Sequence, residues 1–134
     1  MNYWLVKSEP TTYSWQQFIK EGNAVWDGVR NYQARNNLKQ MKINDLVLFY
    51  HSNTGKEIVG LAKVLCEAYP DPTTEDKRWV AVTLTPVEEF KKTVKIKQIK
   101  VDIRLKDVPL IKQSRLSVMS LTKKQFDILY QMAK

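Results

Sequence analysis

The strongest constraint on the fold is an apolar run in the middle of the chain. Residues 45–51 contain Leu-Val-Leu-Phe-Tyr without interruption, which is typical of a strand buried on both faces of a sheet. Turn-forming residues at 52–55 and a second apolar stretch at 58–64 predict an antiparallel partner strand. Gly60 lies inside that partner and predicts a bulge or the close approach of another group. A sheet organised around residues 45–51 is therefore expected.

The remaining elements alternate between strands and short helices. Ser14 and Thr122 each begin a capping box, in which a hydroxyl and a glutamine amide three residues later satisfy backbone donors at a helix start. The predicted elements are strands at 3–7 and 79–84, the second ending by Pro86, and helices at 14–20, 30–41 and 122–130. The secondary structure of residues 87–112 is left open, with a strand through Phe90 and a helical turn near 96–100 as the candidates. Together the elements predict an α+β fold, a small mixed-sheet β-barrel with flanking short helices.

The composition is that of one globular domain covering residues 1–134. The chain is 43% hydrophobic and 27% charged, which is enough apolar material for a core without disulfides. Cys66 is the only cysteine, so no disulfide can form within the chain and a cytoplasmic location is expected. No apolar run approaches the roughly 20 residues of a membrane-spanning helix, and the N-terminus lacks the residue order of a signal peptide. We expect no membrane association.

Positive charge is concentrated in the second part of the chain. The formal net charge is +8, and residues 81–134 carry twelve Lys and Arg against five Asp and Glu. Such asymmetry favours a surface for a polyanion, because each neutralised phosphate releases counterions. Solvated lysines that only aid solubility are the alternative. The charge pattern alone favours nucleic acid or nucleotide binding.

Residues 26–36 form the most informative motif. They read Trp-Asp-Gly-Val-Arg-Asn-Tyr-Gln-Ala-Arg-Asn, with two aromatic rings, two guanidinium groups, several amides and almost no aliphatic side chains. Rings supply faces for stacking, arginines supply forked donors, and amides match donor and acceptor patterns. This mixture is typical of a nucleobase pocket and not of a core segment. Trp26, preceding a glycine in a predicted loop, is the expected stacking wall.

Three shorter polar motifs accompany it. Residues 7–10 follow the first strand, 50–53 end the central strand, and 113–119 place an arginine between two serines. Each has a simpler interpretation: an ordinary turn, a structural histidine, and a surface arginine, respectively. His51 is the only histidine, so neither a zinc site nor a histidine-based triad has a partner set.

Motifs for other chemistries are missing from the sequence. It contains no dinucleotide-binding glycine pattern, no phosphate-binding loop of the Gly-Lys-Ser/Thr type, no zinc quartet and no nucleophile elbow. Glu88 and Glu89 are adjacent, so a strand would point them to opposite faces and they cannot act as a carboxylate pair. We therefore expect no catalytic residues, no metal and no cofactor.

The order of these motifs resembles the EVE domain. The matching segments are residues 4–10, 26–36, 50–52 and 114–118, and the resemblance extends over essentially the whole chain. EVE domains belong to the PUA-like group, together with the YTH, ASCH and SRA-type readers. The resemblance implies a small curled β-barrel with flanking helices and a pocket that accepts one modified base.

The resemblance also implies which residues form the site. The nucleobase pocket would comprise Ser8, Trp26, Arg30, Asn31, Tyr32, Arg35, His51, Ser52, Arg115 and Ser117. Lysines would hold the phosphate backbone without reading sequence, at positions Lys91, Lys92, Lys95, Lys97 and Lys100.

The leading hypothesis is a non-enzymatic module that recognises methylated or hydroxymethylated cytosine in DNA, because known or proposed EVE ligands include these bases. Two alternatives stay open: an RNA-binding module that acts on tRNA or rRNA, and an enzyme that processes a modified nucleotide. The stacking role predicts that Trp26→Ala abolishes binding with little loss of stability.

Overall fold

The computed structural model describes residues 1–134 and contains six strands and five α-helices. The strands are β1 (Tyr3–Ser8), β2 (Ala24–Trp26), β3 (Leu46–His51), β4 (Glu57–Pro70), β5 (Val80–Lys95) and β6 (Val118–Leu121). The helices are α1 (Trp15–Glu21), α2 (Tyr32–Gln40), α3 (Ile96–Val101), α4 (Pro109–Lys112) and α5 (Lys123–Met132), with a 3-10 turn at Ile103–Leu105. None of the helices is long and apolar enough to cross a membrane.

All six strands belong to one mixed sheet with the order β2-β5-β4-β3-β1-β6. β1 lies parallel to β3 and antiparallel to β6, and the other neighbours are antiparallel. The central position of β3 and the burial of its residues 47–50 confirm the prediction made from the apolar run. The α+β class and the mixed sheet are confirmed as well.

The sheet curls strongly around its core. Trp26 of β2 and Phe49 of β3 are separated by two intervening strands, yet their ring centroids lie 5.5 Å apart. Four register irregularities between β4 and β5 permit this bend, since bulges increase local twist and curvature. β2 and β6 do not pair with each other, so the barrel is open along a seam between its first and last strands.

Gly60 confirms the prediction of a close approach. The ring of Trp15 on α1 lies directly against its backbone, and a Cβ atom at Gly60 would overlap the indole. Trp15 is fully buried there and packs edge-on against Phe18 and Phe49, with centroid distances of 5.4 and 5.2 Å. The absent side chain therefore allows α1 to dock on the sheet.

Two sequence predictions were wrong in detail. β5 does not end by Pro86 but continues to Lys95. Pro86 faces Ala62 at one of the register irregularities of the β4–β5 ladder, where a missing backbone donor is tolerated. Trp26 lies in a short strand instead of a loop, because residues 24–26 pair with the start of β5. The open segment 87–112 contains both predicted elements, the strand through Phe90 and the helix α3.

Gly60→Ala is expected to destabilise the protein by about 1–3 kcal/mol, the usual cost of overpacking a filled core. Chemical denaturation of the variant measures this loss. A Gly60→Ala/Trp15→Phe double variant should lose less than the sum of the two single losses, because the smaller ring leaves room for the added methyl group. Strictly additive losses would contradict the contact.

Candidate functional site

A cavity of about 980 Å³ opens at the seam of the sheet. Its walls come from three parts of the chain: residues 7–13 after β1, residues 21–31 around β2, and Ser117 before β6. Five of the predicted base-binding residues line it, namely Ser8, Trp26, Arg30, Asn31 and Ser117. The curl of the sheet thus brings together side chains that lie far apart in the sequence.

Ser8 and Ser117 are positioned by the strand ends that carry them. The backbone N–H of Lys7 donates to the carbonyl of Ser117 at 2.9 Å, and the Lys7 ammonium donates to the carbonyl of Ser114 at 2.7 Å. The Ser8 hydroxyl donates to the carbonyl of Tyr13 at 2.5 Å. Since a hydroxyl has one proton, Ser8 Oγ is left as an acceptor toward the cavity.

Trp26 lines the cavity but is largely buried. Only 9% of its surface is exposed, and its ring packs edge-on against Phe49 and Tyr13 at centroid distances of 5.5 and 6.2 Å. The expectation that Trp26→Ala leaves stability nearly unchanged is therefore wrong, because truncating a buried tryptophan typically costs about 3–5 kcal/mol. It rested on reading residues 24–26 as a loop.

Asp71 holds in place the chain segment that forms one wall of the cavity. Its side chain is fully buried, and one carboxylate oxygen accepts from the Gly28 backbone N–H at 2.8 Å and from the Arg30 guanidinium at 3.0 Å. The other oxygen accepts from the backbone and hydroxyl of Thr73. Gly28 has a φ of 75°, which favours glycine at this turn. The carboxylate thus fixes the path of the chain between Trp26 and Arg30.

These contacts also set the protonation of Asp71. Burial alone raises the pKa of a carboxyl group, but the hydrogen bonds from Thr73, Arg30 and Gly28 outweigh it and hold the pKa of Asp71 well below its usual range. The carboxylate is ionised whenever the protein is folded near neutral pH.

Asn31 begins α2 and contributes a donor to the cavity. Its Oδ1 accepts from the backbone N–H of Ala34 at 2.9 Å, which caps the helix. The Nδ2 group makes no hydrogen bond within the protein, so it is available to a ligand.

Three carboxylates give the cavity an acidic side. They belong to Glu9, Glu21 and Asp27, while Lys7 and Arg30 supply the positive charges. Burial, together with the nearby charge of Asp71, raises the pKa of Asp27. The cavity therefore offers more acceptors than a phosphate site would, and it suits a ligand with N–H groups.

The other predicted base-binding residues lie outside the cavity. Tyr32 stacks on Trp79 with centroids 5.1 Å apart, and the guanidinium of Arg35 lies 4.9 Å from the Tyr32 ring centre. Arg115 is exposed on the segment before β6. Ser52 supports the cavity through its backbone, which donates to the carbonyl of Ser8 at 2.9 Å.

His51 has a structural contact in this structure. Its Nε2 accepts from the backbone N–H of Trp15 at 3.0 Å, so it satisfies a donor at the start of α1. Burial lowers the pKa of His51, and the neighbouring Glu57 only partly counteracts this effect. The neutral ring is the form that can accept this hydrogen bond.

The predicted phosphate-contacting lysines are all exposed. Lys91, Lys92 and Lys95 lie on β5, and Lys97 and Lys100 lie on α3. None of them lines the cavity or forms an ion pair. Lys95 lies at the same end of the strands as the cavity, because Ser8, His51, Glu57 and Lys95 face one another across successive strands. Three strand spacings correspond to roughly 14 Å.

The residues predicted from the sequence include none of the three acidic side chains of the cavity and do not include Asp71. Asp71 lies between two prolines, a pattern that indicates a break in the chain but gives no sign of burial. Tyr13 and Glu21 meet through a 2.8 Å hydrogen bond across a helix, a contact that appears only after α1 has folded. Asp27 was inside the identified motif, and its carboxylate could have been included as an acceptor.

Asp71→Asn is expected to lower the free energy of unfolding by about 1–3 kcal/mol at neutral pH. The loss stays in this range because the Arg30 side chain is 41% exposed and water can partly replace its partner. Because the pKa of Asp71 is lower in the folded than in the unfolded state, its contribution is complete above about pH 4 and is lost as the pH falls further.

Denaturation at pH 7 and pH 3 measures both effects. Asp107→Asn is the matched control, since that carboxylate is 65% exposed and pairs with Lys112 on the surface. Equal losses in the two variants would contradict the anchoring role of Asp71.

His51 is expected to make the stability of the protein depend on pH. Its folded pKa lies below its ordinary value of about 6.5, so its contribution is present above that pH and is lost as the pH falls through the folded pKa. It is the only histidine, and no other unperturbed side chain titrates in this range.

Melting temperatures between pH 5 and pH 7.5 measure this dependence. His51→Gln keeps an acceptor at the same reach but does not titrate, so its melting temperature should vary less with pH. A variant with the same pH dependence as the natural chain would contradict the proposed role of the ring nitrogen.

Comparison with known proteins finds relatives that match nearly the whole chain. Thymocyte nuclear protein 1 from Mus musculus is 36% identical over 96% of this chain and 72% of its own length. A crystal structure of a protein from Agrobacterium tumefaciens superposes with a TM-score of 0.97 at 39% identity, covering 99% of this chain and 93% of that chain.

A further solved structure contains a ligand. The human THYN1 protein in complex with 5-methylcytosine-containing DNA superposes with a TM-score of 0.93 at 30% identity, covering 100% of this chain and 98% of that chain. A sequence model of the EVE domain matches residues 2–132. Because that match spans nearly the whole chain and the relatives agree with it, the chain belongs to the EVE domain family.

Proposed function

We propose that this protein is a non-enzymatic reader that binds one modified cytosine of DNA in the seam cavity. The observation that carries the proposal is the cavity beside Trp26, in a fold that superposes with a TM-score of 0.93 on the THYN1 protein crystallised with 5-methylcytosine-containing DNA. We further propose that Ser8, Trp26, Arg30, Asn31 and Ser117 contact the base.

The hydrogen-bonding groups of the cavity support cytosine as the ligand. The edge of cytosine presents an amino donor beside a ring nitrogen and a carbonyl oxygen, both of which accept. Ser8 Oγ and the Asp27 carboxylate supply acceptors for the amino group, while Asn31 Nδ2 supplies a donor for the accepting atoms. Thymine carries a carbonyl in place of the amino group, so the acidic side of the cavity would disfavour it.

The proposed mechanism requires the base to leave its stack. A base inside a duplex cannot enter a closed site, so it is unpaired or flipped at a cost of a few kcal/mol. Contact with the Trp26 ring offsets part of that cost, since base stacking on an aromatic side chain is worth about 1–3 kcal/mol. A single methyl group adds only about 1–3 kcal/mol of discrimination, so we expect modest selectivity.

Charge separates the base site from the backbone site. Carboxylates of Glu9, Glu21 and Asp27 around the cavity would repel a phosphate, which therefore stays outside. The five exposed lysines lie on β5 and α3, with Lys95 at the same end of the strands as the cavity, and we propose that they contact the DNA backbone. A cytoplasmic location is part of the proposal and is supported by the single exposed thiol of Cys66.

The test fills the cavity without removing a core residue. Ser117 lines the cavity and its side chain makes no hydrogen bond, so Ser117→Leu adds volume there. We expect affinity for a single-stranded oligonucleotide with one 5-methylcytosine to fall at least about 10-fold, equivalent to the loss of about 1.4 kcal/mol of binding energy. Fluorescence anisotropy at a fixed, stated salt concentration measures the change.

Ser120→Leu is the matched control, because Ser120 is exposed on β6 and lies outside the cavity. It should bind like the natural chain. Equal affinity of both variants, or equal affinity for modified and unmodified DNA and for RNA of the same sequence, would contradict the proposal. Mass spectrometry of the incubated oligonucleotide checks the non-enzymatic part, which predicts an unchanged base.

A further inference from the structure

An ordered column of flat side chains lies outside the cavity. Tyr32 stacks on Trp79 with a centroid distance of 5.1 Å and an interplanar angle of 30°. The Arg35 guanidinium lies over the Tyr32 ring, with Cζ 4.9 Å from its centre. We call Arg35, Tyr32 and Trp79 the rim column.

The rim column presents both an apolar surface and an unpaired positive charge. Tyr32 is 52% exposed, although it is a large aromatic residue. The N–H groups of Arg35 donate to the side-chain carbonyl of Asn36 and to the backbone carbonyl of Arg78, and Arg35 has no carboxylate partner. An exposed ring and an uncompensated guanidinium together match a nucleotide, which has a flat base and a negative phosphate.

The two neighbouring arginines differ from Arg35, because each of them has a carboxylate partner. Arg30 pairs with Asp71, and Arg78 forms a chelating ion pair with Asp76, so their charges are already compensated within the protein. Arg78 also donates to the Tyr32 hydroxyl at 3.2 Å and thereby holds the ring in place. Arg35 is thus the guanidinium of this cluster that remains available to an anion.

The rim column is continuous with the cavity. Asn31 lines the cavity, and Tyr32 is the next residue, so their Cα atoms are about 3.8 Å apart. Arg30 lines the cavity as well, and its Cζ lies 5.6 Å from the centre of the Trp79 ring. A nucleotide strand whose base occupies the cavity would pass over this rim.

We propose that the rim column is a second subsite, a stacking platform for the nucleotide next to the modified base. This inference rests on the proposed function and adds a contact in which the flanking base stacks on the outer, Arg35 end of the column, since the rings of Tyr32 and Trp79 are covered by their neighbours. The Arg35 guanidinium also attracts the adjacent phosphate. Stacking is indifferent to base identity, because every base has a π face. The subsite therefore increases affinity for a strand over an isolated nucleoside without adding sequence preference.

The experiment compares two single-stranded oligonucleotides, each with one central 5-methylcytosine. One has natural neighbours, and the other has abasic neighbours that keep the phosphates but lack the bases. The natural chain should bind the abasic form about 5- to 100-fold more weakly, the range expected for one lost stacking contact. Tyr32→Leu should bind the natural form more weakly by a similar factor and show little further loss with the abasic form.

Two further variants separate the outcomes. Arg35→Gln should lose at least as much affinity for the natural form as Tyr32→Leu, because it removes both the stacking plane and the charge, and it should show little further loss with the abasic form. Arg104→Gln, at an exposed arginine paired with Asp102, should behave like the natural chain. Ser117→Leu should weaken both oligonucleotides by the same factor, since it changes only the base site. Melting temperatures confirm that each variant folds, and Arg35→Gln decides the matter if Tyr32→Leu does not fold.

Removal of the flanking bases could lower the affinity of Tyr32→Leu by the same factor as that of the natural chain. That result would overturn the platform and leave the base site intact. Equal affinity of the natural chain for the two oligonucleotides would also overturn the platform. A natural chain that binds neither oligonucleotide would overturn the base site and the platform together.

Discussion

The packing of Phe49 is the contact on which the rest of the molecule depends. Its ring meets Trp15, Phe18 and Trp26 at centroid distances between 5.2 and 5.5 Å, so one side chain of the central strand holds both α1 and the outermost strand β2 against the middle of the sheet. Aromatic pairs of this kind contribute energy beyond the area they bury, and their geometry fixes relative orientation. Because Trp26 also forms a wall of the cavity, the shape of the candidate site is set from the core outward.

The site itself separates two kinds of recognition. Its interior is shaped by a buried carboxylate, Asp71, and offers acceptors and donors to a flat, uncharged heterocycle. Lys7 and Arg30 lie beside the carboxylates of the cavity, and further positive charge lies outside it, on Arg35 and on the lysines of β5 and α3. In the proposed function these outer charges attract the phosphate, the carboxylates disfavour it inside, and the base points inward. This separation of the base site from the phosphate-binding surface requires no contact that depends on the identity of the neighbouring bases.

Sequence patterns predict those features that depend on local chemistry. The central strand, the capping box at Thr122, and the need for a glycine at position 60 follow from side-chain type and spacing, and the structure confirms them. The box predicted at Ser14 is only half formed, because its hydroxyl caps α1 but the Gln17 amide donates to Glu21 instead. The burial of Asp71 and the division of the motif 26–36 between cavity and rim depend on contacts between distant segments. Tyr32 and Trp79 are 47 positions apart, and no periodicity indicates that their rings stack. Tertiary packing decides which polar residues of a motif face inward.

The position of β1 has a consequence for how the protein is made. This strand is translated before the other five, yet it pairs with β6, whose residues 118–121 are translated more than 100 positions later. Ser8 and Ser117 can therefore meet only after β6 has been translated, and such non-local pairing slows folding. A nascent or C-terminally shortened chain would contain the whole aromatic motif without a formed cavity.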